Sequence, residues 1–204
     1  ATHFENANVI YSGRPEVMIT LGKIYAQLRE HDKAVENFDA ALAFMRSDVV
    51  ATMDSVTVEG WREQMADLPM LRAQVLADAG RFEDAVGTYR HMSAANPDDI
   101  DLKRGLAAIL LKMGNRSEAT QIYDDMVTMP GLMAADFFAI GVGFYQGSDY
   151  ARSAAAFEGA ATASVNDRDA IEMWARSLQL DSMWTELPPV TERWVDLDPN
   201  SQNA

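Results

Sequence analysis

The chain has 204 residues, of which 48% are hydrophobic and 24% charged, a composition typical of a folded domain. Its formal net charge of −14 disfavours binding to nucleic-acid phosphates or to an anionic membrane surface. It contains no cysteine, which excludes disulfides and thiolate metal sites, and no apolar run long enough to cross a bilayer. We therefore expect a soluble protein without membrane insertion, for which the cytoplasm and the periplasm both stay open.

An internal repeat dominates the middle of the chain. Three residues recur as the same type after 34 positions, in the pairs Gly80/Gly114, Ala85/Ala119 and Tyr89/Tyr123. A fixed period of this length in helix-forming sequence is typical of stacked helical hairpins. Stepping back from Ala85, the matching alanine is Ala34, which lies 51 residues earlier and indicates an insertion of 17 residues.

This period divides the chain into segments. In order, they are the tail of an upstream repeat at 1–14, repeat 1 at 15–48, an insertion at 49–65, repeat 2 at 66–99, repeat 3 at 100–133, repeat 4 at 134–167, a degenerate repeat 5 at 168–201 and an end at 202–204. Within each repeat the apolar spacing predicts two amphipathic helices. In repeat 5, Pro188 and Pro189 predict that the second helix begins late, near Val190.

Small residues recur at one position of the predicted first helices, and large residues recur at one position of the predicted second helices. The small ones, which allow close approach of a neighbouring helix, are Gly22, Ala73, Ala107, Gly141 and Ala175. The large ones, which we expect to fill the space between a hairpin and the next, are Phe38, Tyr89, Tyr123 and Phe157. The stretch from Ser47 to Met65 offers an apolar face that includes Trp61, and it is either a lengthening of the helix pair that packs Trp61 on its neighbours or a protruding contact element.

Three features of the repeats form a known pattern: Leu-Gly-x-x-Tyr at 21–25, Ala-x-x-x-Phe at 34–38, and the prolines Pro97 and Pro199 at repeat ends. With these features the repeats resemble those of the tetratricopeptide repeat family. The resemblance implies an all-α fold, a right-handed superhelical solenoid of antiparallel helix pairs. It also implies a protein or peptide partner, bound in a concave groove lined by the first helix of each pair.

Counting along each repeat from this resemblance gives the residues expected to face the groove. They are Lys23, Gln27, Met70, Gln74, Arg104, Lys112, Phe138, Val142, Tyr145 and Arg176, together with Ile19, Asp78, Ala108 and Glu172. The cations and the aromatic residues would suit an extended or helical segment that carries carboxylates and a few apolar anchors. The alternative is that these positions form an ordinary solvated helix face.

No group of residues indicates catalysis, a metal or a cofactor. His3, His31 and His91 have no second ligand at metal spacing on the same helix. Gly141-Val142-Gly143 has no strand before it and no Lys-Ser/Thr after it, so a phosphate loop is not indicated. The calcium-like spacing of Asp196, Asp198 and Asn200 lacks the required glycine and glutamate, and Asn115-Arg116-Ser117 fits a helix start better than a glycosylation site.

The sequence therefore favours a non-enzymatic scaffold for protein–protein interaction, without nucleic acid as a partner. Two alternatives stay open. One is a docking or regulatory segment of a larger enzyme or of a secretion or assembly machine. The other is a module that forms a homo-oligomer through its terminal hairpins, which carry no polar capping helix.

Overall fold

The computed structural model describes residues 14–197, and this part of the chain is helical with no β-strand. Its twelve helices are α1 Pro15–Gln27, α2 His31–Met45, α3 Asp48–Ala51, α4 Ser55–Gln64, α5 Leu68–Asp78, α6 Phe82–Ala95, α7 Ile100–Lys112, α8 Arg116–Val127, α9 Ala134–Gln146, α10 Tyr150–Ala163, α11 Arg168–Leu180 and α12 Leu187–Leu197. The predicted all-α class is confirmed. The segment predicted at 202–204, and 1–14 except Arg14, lie outside the described residues.

The chain divides into two compact units, residues 1–92 and 93–204, and the division falls inside α6. In the first unit, α1 packs against α2 and α2 packs against α5. In the second unit, α7 pairs with α8, α9 with α10, and α11 with α12. Helix α9 also contacts α7 and α8, and α10 contacts α11. Each unit is thus built from successive helical hairpins.

The turn inside each hairpin repeats with the period of the sequence. One residue per turn has a left-handed backbone: Arg29 (φ 59°), Gly80 (78°), Gly114 (82°), Ser148 (64°) and Ser182 (61°). The last four follow one another at steps of 34 positions, and the first precedes Gly80 by 51. At every one of these turns, this residue's N–H donates to the carbonyl three residues earlier, and the next N–H donates to the carbonyl five residues earlier. These are the two bonds of a Schellman motif, so the backbone ends each first helix in the same way.

Glycines in the first helices make room for aromatic rings of the second helices. A Cβ atom built on Gly22 would overlap the Phe38 ring, and one on Gly141 would lie 2.9 Å from Cδ1 of Phe157. Both rings therefore lie on a glycine of their own hairpin, a contact that the sequence analysis did not predict. The Tyr123 ring lies instead on Gly143, in the following hairpin, which agrees with its predicted place between two hairpins.

The insertion forms two short helices, α3 and α4, and it packs on the first hairpin. Trp61 of α4 is 9% exposed, and its ring makes an edge-to-face contact with Phe44 of α2 at 5.6 Å between centroids. The indole N–H of Trp61 donates to the carboxylate of Glu16 on α1. Trp61 thus packs on its neighbours, as one of the two interpretations expects, but the insertion forms separate short helices and does not lengthen the helix pair. Val56, at the start of α4, is 82% exposed.

Helix α12 begins earlier than the sequence analysis predicts. It starts at Leu187 rather than near Val190, so Pro188 and Pro189 lie within its first turn. The prediction treated the two prolines as a barrier to the helix. The N–H groups of the first turn have no partner within a helix, however, so a proline at these positions loses no hydrogen bond and its fixed φ suits the helix.

Side-chain caps fix the starts of four helices in the second unit. The side chains of Asp99, Asn115, Asp149 and Asp167 each accept the backbone N–H three residues later, as N-cap residues do. Asn115 also donates its amide to the Glu118 carboxylate at 2.8 Å, so the interpretation of this asparagine as a helix start is correct.

A buried pair of serines joins the last two hairpins of the second unit. Ser153 of α10 and Ser177 of α11 are both 0% exposed, and their hydroxyl oxygens are 3.0 Å apart. The Ser153 hydroxyl is also 3.0 Å from the carbonyl oxygen of Gly141, and the Ser177 hydroxyl is 2.8 Å from that of Met173. The two hydroxyl protons can satisfy only two of these three contacts at one time. Either serine can donate to the other, and in both arrangements each hydroxyl keeps a hydrogen bond.

Candidate functional site

Helix α9 carries a stripe of apolar side chains on the side predicted to bind a partner. Phe138, Val142 and Tyr145 are spaced by four and three residues, so they lie on one side of the helix, and all three are half-buried. The only charged residue of α9 is Asp136, whose carboxylate accepts the N–H of Met133 at 2.8 Å at the helix start. We call Phe138, Val142 and Tyr145 the α9 stripe.

Neighbouring rings hold the two aromatic residues of the α9 stripe in place. Phe138 makes an edge-to-face contact with Phe157 at 5.2 Å, and Tyr145 makes one with Tyr150 at 5.4 Å. Phe138 also packs against the core cluster to which α11 contributes Ile171. Rings fixed in this way lose little conformational entropy when a partner binds.

Arg104 of α7 lies near Tyr123, a buried residue of α8 that packs on α9. The Tyr123 ring packs on Gly143 of α9 and is 2% exposed. Burial raises the pKa of Tyr123 to about 12, and the nearby positive charge of Arg104 opposes that rise. Arg104 itself is half-buried and forms an ion pair with Asp101, one turn earlier on α7.

The other two predicted cations of the second unit are more exposed. Lys112 is the last residue of α7 and is exposed. Arg176 of α11 forms an ion pair with Glu172 at 2.9 Å and lines a cavity of about 400 Å³ between α11 and α12, together with Gln179 and Thr191. Ion pairs of this exposed kind contribute about 0–1 kcal/mol, so a carboxylate of a ligand can replace Glu172 or Asp101 at small cost.

The predicted residues of the first unit lie on α1 and α5. Lys23, Gln27 and Gln74 are exposed, and Met70 is half-buried. Ile19, which was also expected to face a partner, is instead 7% exposed, so that expectation is wrong. On the same helix, the Trp61 indole of α4 donates to Glu16, one turn before Ile19.

The structure also accounts for motifs that could suggest other chemistry. Gly141 and Gly143 lie inside α9, where they contact Phe157 and Tyr123, so packing explains both glycines. Within residues 14–197, no group of three or more His, Asp or Glu side chains is placed to hold a metal ion. In the same range, no helix is long and apolar enough to cross a membrane. His3, Asp198 and Asn200 lie outside the described residues.

Comparison with known proteins agrees with this architecture. Residues 76–127 match the sequence model of the tetratricopeptide repeat. The C-terminal part of a tetratricopeptide-repeat protein from Cytophaga hutchinsonii is similar in structure, with a TM-score of 0.71 and 14% identity over 96% of this chain and 72% of that one. The chain has the fold of a tetratricopeptide-repeat protein, as the sequence predicts.

Two further structures show the same fold at low sequence identity. YrrB, described as a tetratricopeptide-repeat protein with an unusual peptide-binding site, aligns with a TM-score of 0.59 and 13% identity over 97% of this chain and 93% of its own. MamA aligns with a TM-score of 0.62 and 9% identity over 91% of this chain and 92% of its own. No protein of curated function matches the sequence.

Sequence reasoning missed two aromatic residues beside the α9 stripe. Tyr150 contacts Tyr145, and the half-buried Trp174 of α11 packs against the same core cluster as Phe138. Tyr150 is the first residue of α10, next to the turn at Ser148. A search for aromatic residues at the turns, as well as on the first helices, would have found it.

Proposed function

We propose that this protein is a non-enzymatic interaction scaffold that binds a peptide or a partner helix along α7 and α9. The observation that carries the proposal is the α9 stripe, a half-buried apolar surface on a helix with one charged residue. Tetratricopeptide-repeat sequence at 76–127 supports a protein as the partner. The proposal assigns no catalytic residue and no cofactor.

The chemistry of this surface favours a ligand with apolar anchors and carboxylates. Phe138 and Tyr145 offer ring surface, and such residues dominate binding energy when a partner excludes water from them. Arg104 can exchange Asp101 for a carboxylate of the ligand, and Lys112 and Arg176 add positive charge on α7 and α11.

The first unit has a matching set of polar and apolar side chains. We assign the same role, contact with a ligand, to four residues of this unit. They are Lys23 and Gln27 on α1 and Met70 and Gln74 on α5. The position of Trp61 against Glu16 supports a shorter binding surface on α1, which begins after Ile19. The peptide-binding site for which YrrB is described gives a precedent within this fold.

The test is selection of peptides from a random library on the purified chain, followed by fluorescence anisotropy with the selected peptides. We expect Tyr145→Ala and Arg104→Glu each to weaken binding about tenfold or more, the effect typical of a central contact residue. Trp184→Ala, at a ring that is 58% exposed in the turn before α12, and Arg116→Glu, at an exposed cation of α8, are the matched controls. Equal affinities for all four variants would contradict the proposal.

The same experiment separates the two alternatives from the sequence analysis. A self-associating module would show a mass that rises with concentration in light scattering, and the selected peptides would resemble the sequences of its own terminal hairpins. For a docking segment, the selected peptides would resemble segments of one larger protein that contains it. A scaffold of the proposed kind selects acidic peptides with apolar anchors and keeps a constant mass.

A further inference from the structure

Two hairpin turns of the first unit border a cavity of about 440 Å³. One turn joins α1 to α2, and the other joins α5 to α6. The charged and imidazole side chains that line the cavity are Arg29, Glu30, His31, Asp32, Lys33 and Arg81. Three cations and two carboxylates give this lining a net charge of +1 with the imidazole neutral, although the whole chain carries −14. The cavity is therefore a cationic site on an acidic protein.

Arg29 brings an unpaired charge to this cavity from a strained backbone. Its φ of 59° is left-handed, at the turn position where the later hairpins have Gly80, Gly114, Ser148 and Ser182. A residue with a side chain adopts this backbone at a cost that glycine avoids. Arg29 is exposed, and its guanidinium makes no ion pair or hydrogen bond within residues 14–197. Strained residues concentrate at ligand-binding sites, so an unpaired guanidinium held in this way indicates an anionic ligand.

The other two cations of the cavity form exposed ion pairs. Lys33 pairs with Glu30 at 2.6 Å, and Arg81 pairs with Asp84 at 2.7 Å. Asp84 is not part of the cavity lining. These four side chains are between 42% and 54% exposed, so a ligand can reach them. Because exposed ion pairs of this kind are weak, an anion of the ligand can replace either carboxylate at small cost.

The start of α2 forms part of the same cavity. Glu30 stands at the N-cap position, but its side chain accepts no N–H of the helix, in contrast to the four capped helices of the second unit. The helix has 15 residues, and the N–H groups at the start of such a helix attract anions. His31, its first residue, makes no side-chain hydrogen bond within residues 14–197, and its Nδ1 atom is buried. An anion at this helix start would therefore meet N–H donors as well as the three cations.

We propose that this cavity binds the phosphate group of a phosphorylated serine side chain of a partner protein. Phosphoserine carries a charge of about −1.5 to −2 at pH 7 and three acceptor oxygens, so it can contact two guanidinium groups and the helix start at the same time. A carboxylate offers less charge and fewer acceptors. Arginine clusters are a recurrent means of recognising phosphorylated segments. Because the rest of the chain is acidic, it repels an extended polyanion more than a single phosphate group.

This site is separate from the binding surface proposed along α7 and α9. It lies in the first unit, at the turns between helices. None of its cations is among the residues of that unit to which we assign ligand contact, which are Lys23, Gln27, Met70 and Gln74. Failure of the phosphate site would therefore leave the proposed function intact, and failure of the proposed function would leave the phosphate site testable.

The experiment is a titration of the full chain, labelled with ¹⁵N and followed by NMR. The probes are N-acetyl-Gly-phosphoSer-Gly-amide and the same peptide with glutamate or unmodified serine at the central position. We expect the phosphopeptide to shift the backbone signals of His31, Asp32 and Arg81 in a saturable manner. The glutamate peptide should bind about fivefold or more weakly, because it brings less charge and fewer acceptors, and the serine peptide should cause no shift.

Three variants make the titration specific. Arg29→Gly keeps the left-handed turn without strain, so it should fold at least as well as the parent, which urea unfolding checks. Arg29→Gly and Arg81→Gln should each weaken phosphopeptide binding about three- to tenfold, as expected for the loss of one charge-assisted hydrogen bond at an exposed site. Arg116→Gln removes an exposed cation of α8 in the second unit and should bind as the parent does.

The outcomes decide the proposal in either direction. It is overturned if the phosphopeptide causes no saturable shift, if the glutamate peptide binds as tightly, or if Arg29→Gly and Arg81→Gln bind as the parent does. An equal loss of affinity in Arg116→Gln would also overturn it, because the net charge of the chain, and not this cavity, would then explain the binding.

Discussion

The contact between Gly143 and Tyr123 gives a sharp test of how the second unit is packed. A Cβ atom at Gly143 would overlap the Tyr123 ring, which is 2% exposed and has no open space into which to move. The addition of a methyl group to a close-packed region lowers the free energy of unfolding by about 3 kcal/mol at the severe end of the usual range. Alanine gains about 1 kcal/mol over glycine inside a helix. We therefore expect Gly143→Ala to destabilise the protein by about 2 kcal/mol.

The matched control is Gly87→Ala in α6. Gly87 is exposed and has no atom within 4 Å of a Cβ placed on it. Only the higher helix propensity of alanine then applies, so Gly87→Ala should raise the free energy of unfolding by up to about 1 kcal/mol. Unfolding in urea, followed by circular dichroism, measures both changes as shifts of the midpoint.

A double-mutant cycle identifies the ring as the cause. Tyr123→Ala alone should cost about 3–5 kcal/mol as a large-to-small change in the core. In that background the overlap is gone, so Gly143→Ala should become stabilising by about 1 kcal/mol, which gives a coupling energy of about 3 kcal/mol. If Gly143→Ala destabilises by the same amount with and without the tyrosine, the placement of this ring against α9 is wrong.

Three further predictions concern the turns, the buried tyrosine and the serine pair. Ser148→Gly should raise the melting temperature, because a left-handed residue other than glycine costs about 1 kcal/mol, whereas Gly114→Ala should lower it. Because the pKa of Tyr123 is raised to about 12, the folded state holds the phenol proton more tightly than the unfolded state does. The resulting stabilisation of the folded state is complete below pH 10 and is lost as the pH rises to 12. The parent should therefore lose about 2 kcal/mol more than Tyr123→Phe between pH 10 and pH 12 in urea unfolding, and equal losses would refute the assignment. Ser153→Ala should change the unfolding free energy by less than about 1 kcal/mol, because the Ser177 hydroxyl keeps the Met173 carbonyl as its partner, and a loss of about 3 kcal/mol would show that the hydroxyl pair is essential.

The serine pair and the insertion show how this chain departs from a uniform repeat. Ser153 stands where the repeat has Ala85 and Ala119, and it gains the hydroxyl of Ser177 as a partner. The insertion, likewise, adds Trp61, whose indole N–H donates to Glu16 of α1. Neither departure changes the hairpin turns.

Part of the candidate site could be predicted from the sequence. The spacing of Phe138, Val142 and Tyr145 places them on one side of a helix without any knowledge of the fold. Whether these side chains remain available depends on neighbours distant in sequence, such as Phe157, whose ring contacts Phe138. The ion pairs of Arg104 and Arg176 with acids on their own helices follow from spacings of three and four residues, and they could have been read in advance.

The sequence by itself determined the hairpins and their period. Left-handed turns recur at the step of the sequence repeat, and those at Gly80 and Gly114 are local, because glycine adopts this backbone without strain. The tertiary structure alone decided which surfaces are filled. The place of the Tyr123 ring depends on Gly143 in the following hairpin, and that of Trp61 depends on Glu16, 45 residues earlier in the sequence. Periodicity fixes the direction of a side chain along its own helix, but contact between helices depends on the shapes of residues that no local pattern brings together.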